Sequence, residues 1–333
     1  MVSTGPIIVA GAGSIGCFVG GMLANAGHRV GLFARARVIA DIESHDLRLT
    51  SWDGLDVRVS AGQLMLAEEA SIFADAAIVL VTVKSADTAA IADELARHAP
   101  SDAIVVSLQN GVSNVAVLRE RLAGRAVLGG MVPFNVMTLG DGRFHRATSG
   151  DIAVEPDQAG TAARLLVPGL SVHATANMQG VQWGKLLLNL NNALNALSGL
   201  PLRAQLAQRA WRLLLADQVA EALRVMRAER IAPVALAAVP PGLMPYVLRL
   251  PDALFQIVAA RSLKIDAMAR SSMWEDLQRG RRTEIDYLQG AIVGLAERHR
   301  LEVPLTRRIV TLIAAAERGG KGSPGLTPGQ VRG

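Results

Sequence analysis

The feature that most restricts this chain lies near its start. Pro6-Ile-Ile-Val-Ala10 has the continuous apolar, β-branched character of a buried strand, and Gly11, Ala12, Gly13, Ser14, Ile15 and Gly16 follow it directly. Helical spacing takes over from Ser14 to Ala26, and after Gly27 a second strand runs from Arg29 to Phe33. Glycine at these three places meets three demands: a tight turn, close backbone approach to a pyrophosphate, and helix–strand packing. The helix then offers its N-terminal N–H groups to the phosphates. A lone GxGxxG is a weak signal. With strand, turn, helix and second strand all at the required spacing, it reads as a dinucleotide-binding turn.

The residue at the end of the second strand selects between dinucleotides. An NAD site would place Asp or Glu there to hold the ribose 2′-hydroxyl. This chain has Phe33-Ala-Arg35-Ala-Arg37 and no acid before Asp41. A 2′-phosphate adds negative charge that a guanidinium meets with paired hydrogen bonds, so NADPH is expected, with Arg35 the first candidate contact and Arg37 the second. Lys84 comes immediately after another strand, at the carboxyl edge where open α/β sheets bind ligands. It reads as a cofactor contact or as a strand-end lysine facing water.

Two further strands, Ala76–Val83 and Ala103–Leu108, flank a helix from Ala86 to His98, and residues 126–155 finish the sheet. This alternation predicts an α/β fold whose N-terminal Rossmann-type domain spans residues 1–176. Helical periods then dominate: Val181–Leu197, Arg203–Arg230, Leu254–Met268, Thr283–His299 and Leu305–Glu317. Residues 177–318 are therefore expected to form an all-helical substrate and catalytic domain. Pro233–Pro251 reads as an irregular insertion, and 319–333 as a mobile Gly/Pro-rich tail.

Composition excludes several classes. With 50% apolar and 19% charged residues in 333, the chain can bury two sizeable cores and is not disordered. One cysteine, Cys17, rules out a disulfide framework or a cysteine-rich zinc site and fits a reducing, cytoplasmic setting. The charge of +5 (34 basic minus 29 acidic) is spread along the chain and suggests anionic ligands, not nucleic acid. Met1 to Gly27 carries no Lys, Arg, Asp or Glu, but it lacks a basic leader and is broken by glycines, against a signal peptide. No later apolar run is long enough to span a membrane. The six histidines show no ligand pairing, so no metal is expected. An apolar patch on the helical half could support a homodimer, although no residue locates one.

The most informative stretch runs from Trp183 to Leu197. At about 100° per residue, Lys185, Asn189 and Asn192 fall on one helix stripe, with Leu187, Leu190, Leu194 and Leu197 opposite. Asparagine competes for backbone hydrogen bonds and is a poor helix former, so an ammonium and two amides on one face need a reason. The functional reading is a polar row facing a cleft for an oxygen-rich substrate; the plainer one is a solvated face, where Glu and Lys would be expected instead. Further on, Thr283 with Asp286 has the form of a capping box, which would make Glu284 an ordinary first-turn acid.

At these residues the chain resembles the ketopantoate reductase family nearly end to end. The shared pattern comprises the Gly11–Gly16 turn, Arg35, Lys84 in Val-Thr-Val-Lys, and Gln109-Asn110-Gly111. It continues in Trp183-Gly-Lys185-Leu with Asn189, in Ser271-Ser272-Met273, and in Thr283-Glu284-Ile-Asp-Tyr287. The resemblance implies reduction of ketopantoate, a 2-oxo acid, to pantoate with NADPH, on the route to pantothenate and coenzyme A. It implies Lys185 as the general acid, Asn110 near nicotinamide and substrate, Asn189 and Ser272 on substrate oxygens, and Asp276 behind Ser272. Under it Glu284 becomes a site carboxylate for substrate and cofactor, against the capping reading. Two departures bear on the substrate. The family often has a second asparagine eight places after the lysine; here that place is Ala193, with Asn192 one earlier, and the Pro233–Pro251 insertion is additional. Two alternatives follow: a paralogous NADPH reductase of another branched 2-oxo acid or ketone, and a non-catalytic dinucleotide sensor.

Overall fold

The computed structural model describes residues 5–259 and 269–333. The chain divides into two compact units, Met1–Met178 and Gln179–Gly333. The first contains β1 (Ile7–Ala10), α1 (Ser14–Asn25), β2 (Val30–Phe33), α2 (Ala36–His45), β3 (Leu47–Ser51), β4 (Asp56–Val59), β5 (Leu64–Ala67) and β6 (Ile78–Val81). It continues with α3 (Thr88–His98), β7 (Ile104–Ser107), α4 (Asn114–Arg121), β8 (Val127–Met131), β9 (Val136–Gly140), β10 (Arg143–Arg146), β11 (Ile152–Val154), α5 (Thr161–Leu165) and β12 (Val172–Ala174).

The main sheet has the order β12-β11-β8-β7-β6-β1-β2-β5, parallel throughout except where β11 meets β8. The run from β5 to β8 is the doubly wound order of a Rossmann fold. Its central strands are apolar at every position because both faces are covered. Ile7 and Val9 join the core shared with Phe18, Met22 and Leu23 of α1, while Ile8 and Ala10 join the core shared with Ile91 and Leu95 of α3 and Leu118 of α4.

The sequence reading gave residues 126–155 to one sheet, but they are shared between two. β8 and β11 extend the main sheet, whereas β9 and β10 pair with β3 and β4 in a second sheet of order β4-β3-β10-β9. This sheet packs on the outer side of α1. A Cβ on Gly21 would come within 2.7 Å of Leu49 Cδ1 of β3, and one on Gly20 within 2.8 Å of Leu32 Cδ2 of β2. Lying between two sheets, α1 has no face for a charged side chain. That is the physical reason for the uncharged opening of the chain. Among the described residues no helix is long and apolar enough to cross a membrane.

The second unit is helical: α6 (Met178–Asn189, whose first residue falls to the first unit), α7 (Asn191–Ser198), α8 (Leu202–Ala207), α9 (Arg209–Ala228), α10 (Met244–Arg249), α11 (Asp252–Ala259), α12 (Ser272–Gln278), α13 (Ile285–Arg298), α14 (Pro304–Gly319) and α15 (Pro328–Arg332). The helix expected over Arg203–Arg230 is broken at Gln208. The one expected over Leu254–Met268 is seen as α11, its remainder lying outside the described residues.

Two expectations are corrected here. Pro233–Pro251 is not simply irregular: it contains α10, which packs along α9. Arg212 of α9, fully buried, secures it with all five N–H donors. They reach the carbonyls of Leu206, Ala207, Leu248 and Leu250 at 2.9–3.2 Å and the Asp252 carboxylate at 2.7 Å, while the guanidinium lies 4.1 Å from the Phe255 ring centroid. The Gly/Pro-rich end is not loose either. Ser323 Oγ donates to the Ala196 carbonyl at 2.6 Å and the Leu326 N–H to that of Leu197 at 2.8 Å, satisfying carbonyls that the end of α7 leaves open. Thr327 and Gln330 form a capping box on α15, and Val331 is fully buried.

Replacing Arg212 by Leu leaves four carbonyls, that of buried Leu248 among them, without their donor. Urea denaturation should show a loss of about 3–5 kcal/mol, and Arg212→Lys should recover less than half of it, because an ammonium lacks the planar fork.

Candidate active site

In the first unit the strand order reverses at β1, with β2 on one side and β6 on the other, so a crevice opens at their carboxyl ends. The glycine turn lies there. Gly11 has φ of +106°, and a Cβ on it would meet the Val83 backbone nitrogen at 2.8 Å. At Gly16 a Cβ would lie 2.2 Å from the Gly11 carbonyl oxygen and 2.7 Å from Thr82 Oγ1, so glycine alone lets α1 close onto the loop. Thr82, just past β6, donates its hydroxyl to that carbonyl at 2.5 Å. Gly13 differs: it is exposed, with nothing within 4 Å of where a Cβ would stand. As the cap residue of α1 it supplies no side chain, and the first turn holds no acid. An uncapped helix N-terminus facing open space fits a pyrophosphate. Ala12, Ser14 and Ile15 complete the loop. Cys17 beneath it donates to the Ala12 carbonyl at 3.4 Å, and burial pushes its thiol up to about 12, out of reactive range.

The other residues predicted for this half fall along the same edge. Arg35, extended and exposed, leads from β2 into α2, with Arg37 exposed beside it. Asp41 is one turn further along α2 and accepts from Gly142 N–H at 3.2 Å, so no acid takes the strand-end place. Lys84 follows β6 and Asn110 follows β7, both exposed. Beneath them lies a buried polar network that the sequence reading did not isolate. Gln109 donates to the Val83 carbonyl at 3.0 Å and to Thr88 at 2.7 Å; Thr88 donates to Asn114 at 3.0 Å; Asn114 donates to Ser85 Oγ at 3.0 Å and to the Asn110 carbonyl at 2.6 Å. These bonds tie the loop bearing Lys84 to the loop bearing Asn110. In the sequence, Thr88 and Asn114 look only like helix-start residues, which hid them.

The sequence offered no ligand spacing among the six histidines, and among the described residues His45 alone stands in a group of three ligand-type side chains. It lies with Asp41 and Asp141, ligand-type atoms within 4.8 Å of one another. Each has an ionic partner already: His45 with Asp41 at 3.3 Å, and Asp141 with Arg143 at 3.4 Å.

In the second unit Lys185 and Asn189 are one turn apart on α6, and Asn192 follows across a break at Leu190, where a continuous helix was expected. Lys185 is partly buried, Asn189 buried and Asn192 half-buried. Burial lowers the Lys185 ammonium from its ordinary value near 10.5 to about 8. Gly184 beside it lets the chain after α9 cross α6: a Cβ there would stand 2.2 Å from the Val234 carbonyl oxygen, and Val234 N–H donates to the Gly180 carbonyl at 2.8 Å. Two glycines four apart inside a helix were the legible signal of that close approach.

Ser272 and Glu284 reach this helix pair through neighbours. Ser271 Oγ donates to the Asn192 carbonyl at 3.0 Å and caps α12, so Ser272, exposed, opens α12 beside Asn192; Asp276, buried, is one turn further on. Gln289 of α13 donates to the Leu190 carbonyl, between α6 and α7, at 3.0 Å. Glu284 is the residue before α13. The expected capping box is not formed there: Thr283 Oγ1 accepts from Ile285 N–H at 3.2 Å, and Thr283 N–H donates to Glu317 at 2.8 Å. In the second unit Lys185 and Asn189 thus share α6, Asn192 follows in α7 with Ser272 opening α12 beside it, and Glu284 stands at the start of α13, the helix whose Gln289 bonds to Leu190.

A doubly wound sheet with this glycine turn, and a helical unit presenting a desolvated lysine among amides, define a nicotinamide dinucleotide-dependent oxidoreductase. Comparison with known proteins narrows the class. Residues 7–158 match the model of ketopantoate reductase PanE/ApbA, and residues 177–317 match its C-terminal model. A 2-dehydropantoate 2-reductase of Halobacterium salinarum is 32% identical, over 94% of this chain and 99% of its own. The crystal structure of a PanE/ApbA family ketopantoate reductase from Ralstonia eutropha superposes with a TM-score of 0.81 at 31% identity, covering 95% of this chain and 99% of that one. D-Mandelate dehydrogenase with NADH and anilino(oxo)acetate shares the fold, with a TM-score of 0.78 at 21% identity and coverage of 95% and 99%. The chain belongs to the ketopantoate reductase family.

The glycine turn separates binding from folding. Gly13→Ala should change stability by less than about 0.5 kcal/mol while weakening dinucleotide binding about tenfold or more. Gly16→Ala should cost about 1–3 kcal/mol of stability through overpacking. Thermal unfolding and cofactor fluorescence titration read the two effects.

Proposed function

We propose that the protein reduces ketopantoate to pantoate with NADPH, in the cytoplasm, as a step toward pantothenate and coenzyme A. Lys185 carries the reading: its ammonium is lowered to about 8 by burial, on one helix face with Asn189, in a chain that matches the family models in both units. NADPH, when bound, supplies the hydride. As charge builds on the ketone oxygen, the Lys185 ammonium stabilises it and hands over a proton, leaving an amine that water reprotonates. Burial serves this step twice. It strengthens the electrostatic stabilisation and brings the acid's pKa toward the working pH. The Asn189 and Asn192 amides and the Ser272 hydroxyl supply hydrogen bonds for the substrate's carboxylate and hydroxyl oxygens, and Glu284 and Asn110 complete the set.

Arg35 supports the 2′-phosphate, and with it NADPH over NADH. The fold alone does not decide the cofactor, since D-mandelate dehydrogenase on the same architecture was solved with NADH. Ala193, in place of the family's second asparagine, favours a second reading in which another branched 2-oxo acid is the substrate. NADPH oxidation with ketopantoate beside a panel of such acids separates the two. A kcat/KM of about 10⁴ M⁻¹s⁻¹ or more on ketopantoate supports the first reading, and weak turnover beside strong turnover of another acid supports the second.

Lys185→Ala should lower kcat by about 10²–10⁴-fold with the NADPH Kd unchanged. In the parent enzyme kcat/KM should fall as pH rises through about 8, because the acid form is lost there. A profile flat to about pH 10 would remove Lys185 as the acid. Arg35→Ala should raise the Kd of NADPH about tenfold and leave that of NADH unchanged, as expected for one charge-assisted phosphate contact.

A further inference from the structure

The helical unit buries a group of polar side chains that the reaction does not use. Asn191, Asn195, Gln205 and Ser271 are each at most 8% exposed, in a unit whose buried residues are mostly apolar. They satisfy one another. Asn195 Nδ2 donates to Gln205 Oε1 at 3.1 Å and to the Leu200 carbonyl at 2.9 Å. Asn191 and Gln205 exchange amide hydrogen bonds at 3.2 and 3.3 Å. Asn195 Oδ1 accepts from Ser271 N–H at 2.9 Å, and Ser271 Oγ donates to the Asn192 carbonyl at 3.0 Å while accepting from Trp274 N–H at 3.2 Å.

Apolar contacts alone would let α7 slide against the start of α12, whereas a satisfied buried network admits one register. Ser271 meets α7 at two points one turn apart, the Asn195 side chain and the Asn192 backbone. The residue it grips, Asn192, and the residue that follows it, Ser272, are two of the proposed substrate contacts, one on α7 and the other on α12.

We propose that Ser271 and Asn195 are positioning residues that set the separation of Asn192 and Ser272, and so the fit of the substrate between α7 and α12. The inference rests on the reading of Asn192 and Ser272 given above. Neither Ser271 nor Asn195 need touch substrate, and neither acts on the dinucleotide.

Steady-state kinetics of the full chain test it. Ser271→Ala should raise the KM for the 2-oxo acid about tenfold, with kcat changed by less than about threefold and the Kd of NADPH unchanged. Ser271→Thr keeps the hydroxyl and the cap and should return KM to within about threefold of the parent. In a Ser272→Ala background, Ser271→Ala should add little further, since both changes disable one contact. Asn195→Ser, which shortens the amide, should repeat the KM effect should Ser271→Ala prove poorly folded. A Ser271→Ala protein with lowered melting temperature but parental KM would overturn the inference, as would independent, multiplicative effects of Ser271→Ala and Ser272→Ala. A parental KM in Ser272→Ala alone would overturn the reading of Ser272 and the inference with it, an outcome distinct from the other two.

Discussion

The helical unit is organised by what its central rod must carry. The α6–α7 segment brings a lysine and several asparagines into an apolar interior, and hydrophobic contact by itself would leave their placement undefined. The remaining elements therefore dock on the rod's backbone carbonyls. The chain after α9 takes that of Gly180, α13 that of Leu190, Ser271 before α12 that of Asn192, and the C-terminal segment those of Ala196 and Leu197. The carbonyls of Ala196 and Leu197 are available because the rod ends at Ser198. That end is what lets the C-terminal segment be fixed to it.

The Rossmann unit reaches the same end by other means. Its cofactor candidates come from four neighbouring strands whose order is set by apolar packing, and the edge they share follows from parallel topology. Fine placement is left to small polar groups under the loops. Ser85, Thr88, Gln109 and Asn114 join the ends of β6 and β7, much as Asn195 and Ser271 join two helices. In both units the candidate site residues, Gly16 and Asn189 apart, are exposed or partly exposed, and hydrogen-bonded polar residues are buried behind them.

The sequence disclosed what local pattern encodes. The turn from Gly11 to Gly16 and the strands beside it are legible because the steric demand for glycine and the burial of both sheet faces act over a few residues. Lys185 and Asn189 are legible because asparagine in a helix needs a reason. The second sheet was not, because β3, although it alternates, pairs with a strand some 95 residues away, Thr50 with His145, and alternation does not name a partner. Nor was the seating of the last fifteen residues: glycine and proline describe a chain that cannot be a long helix, and say nothing about carbonyls waiting at the end of α7. Asn195 was in view but unassigned, since its partner Ser271 lies 76 residues on.

The two-sided cover of α1 bears on how the chain reaches its native state. One face of this helix packs on strands formed early in the sequence, and the other is covered first by β3 and β4 and completed only when β10 lies beside β3, a parallel pairing that must close a long loop. Until then the surface around Phe18, whose ring lies 5.9 Å from that of Phe134 in the finished fold, lacks that part of its cover on a helix with no charge to keep it soluble. A growing polypeptide would hold that surface partly uncovered through the synthesis of about a hundred residues, several seconds at ordinary translation rates. The stretch that makes the nucleotide turn possible is, for that interval, only partly shielded from misassociation.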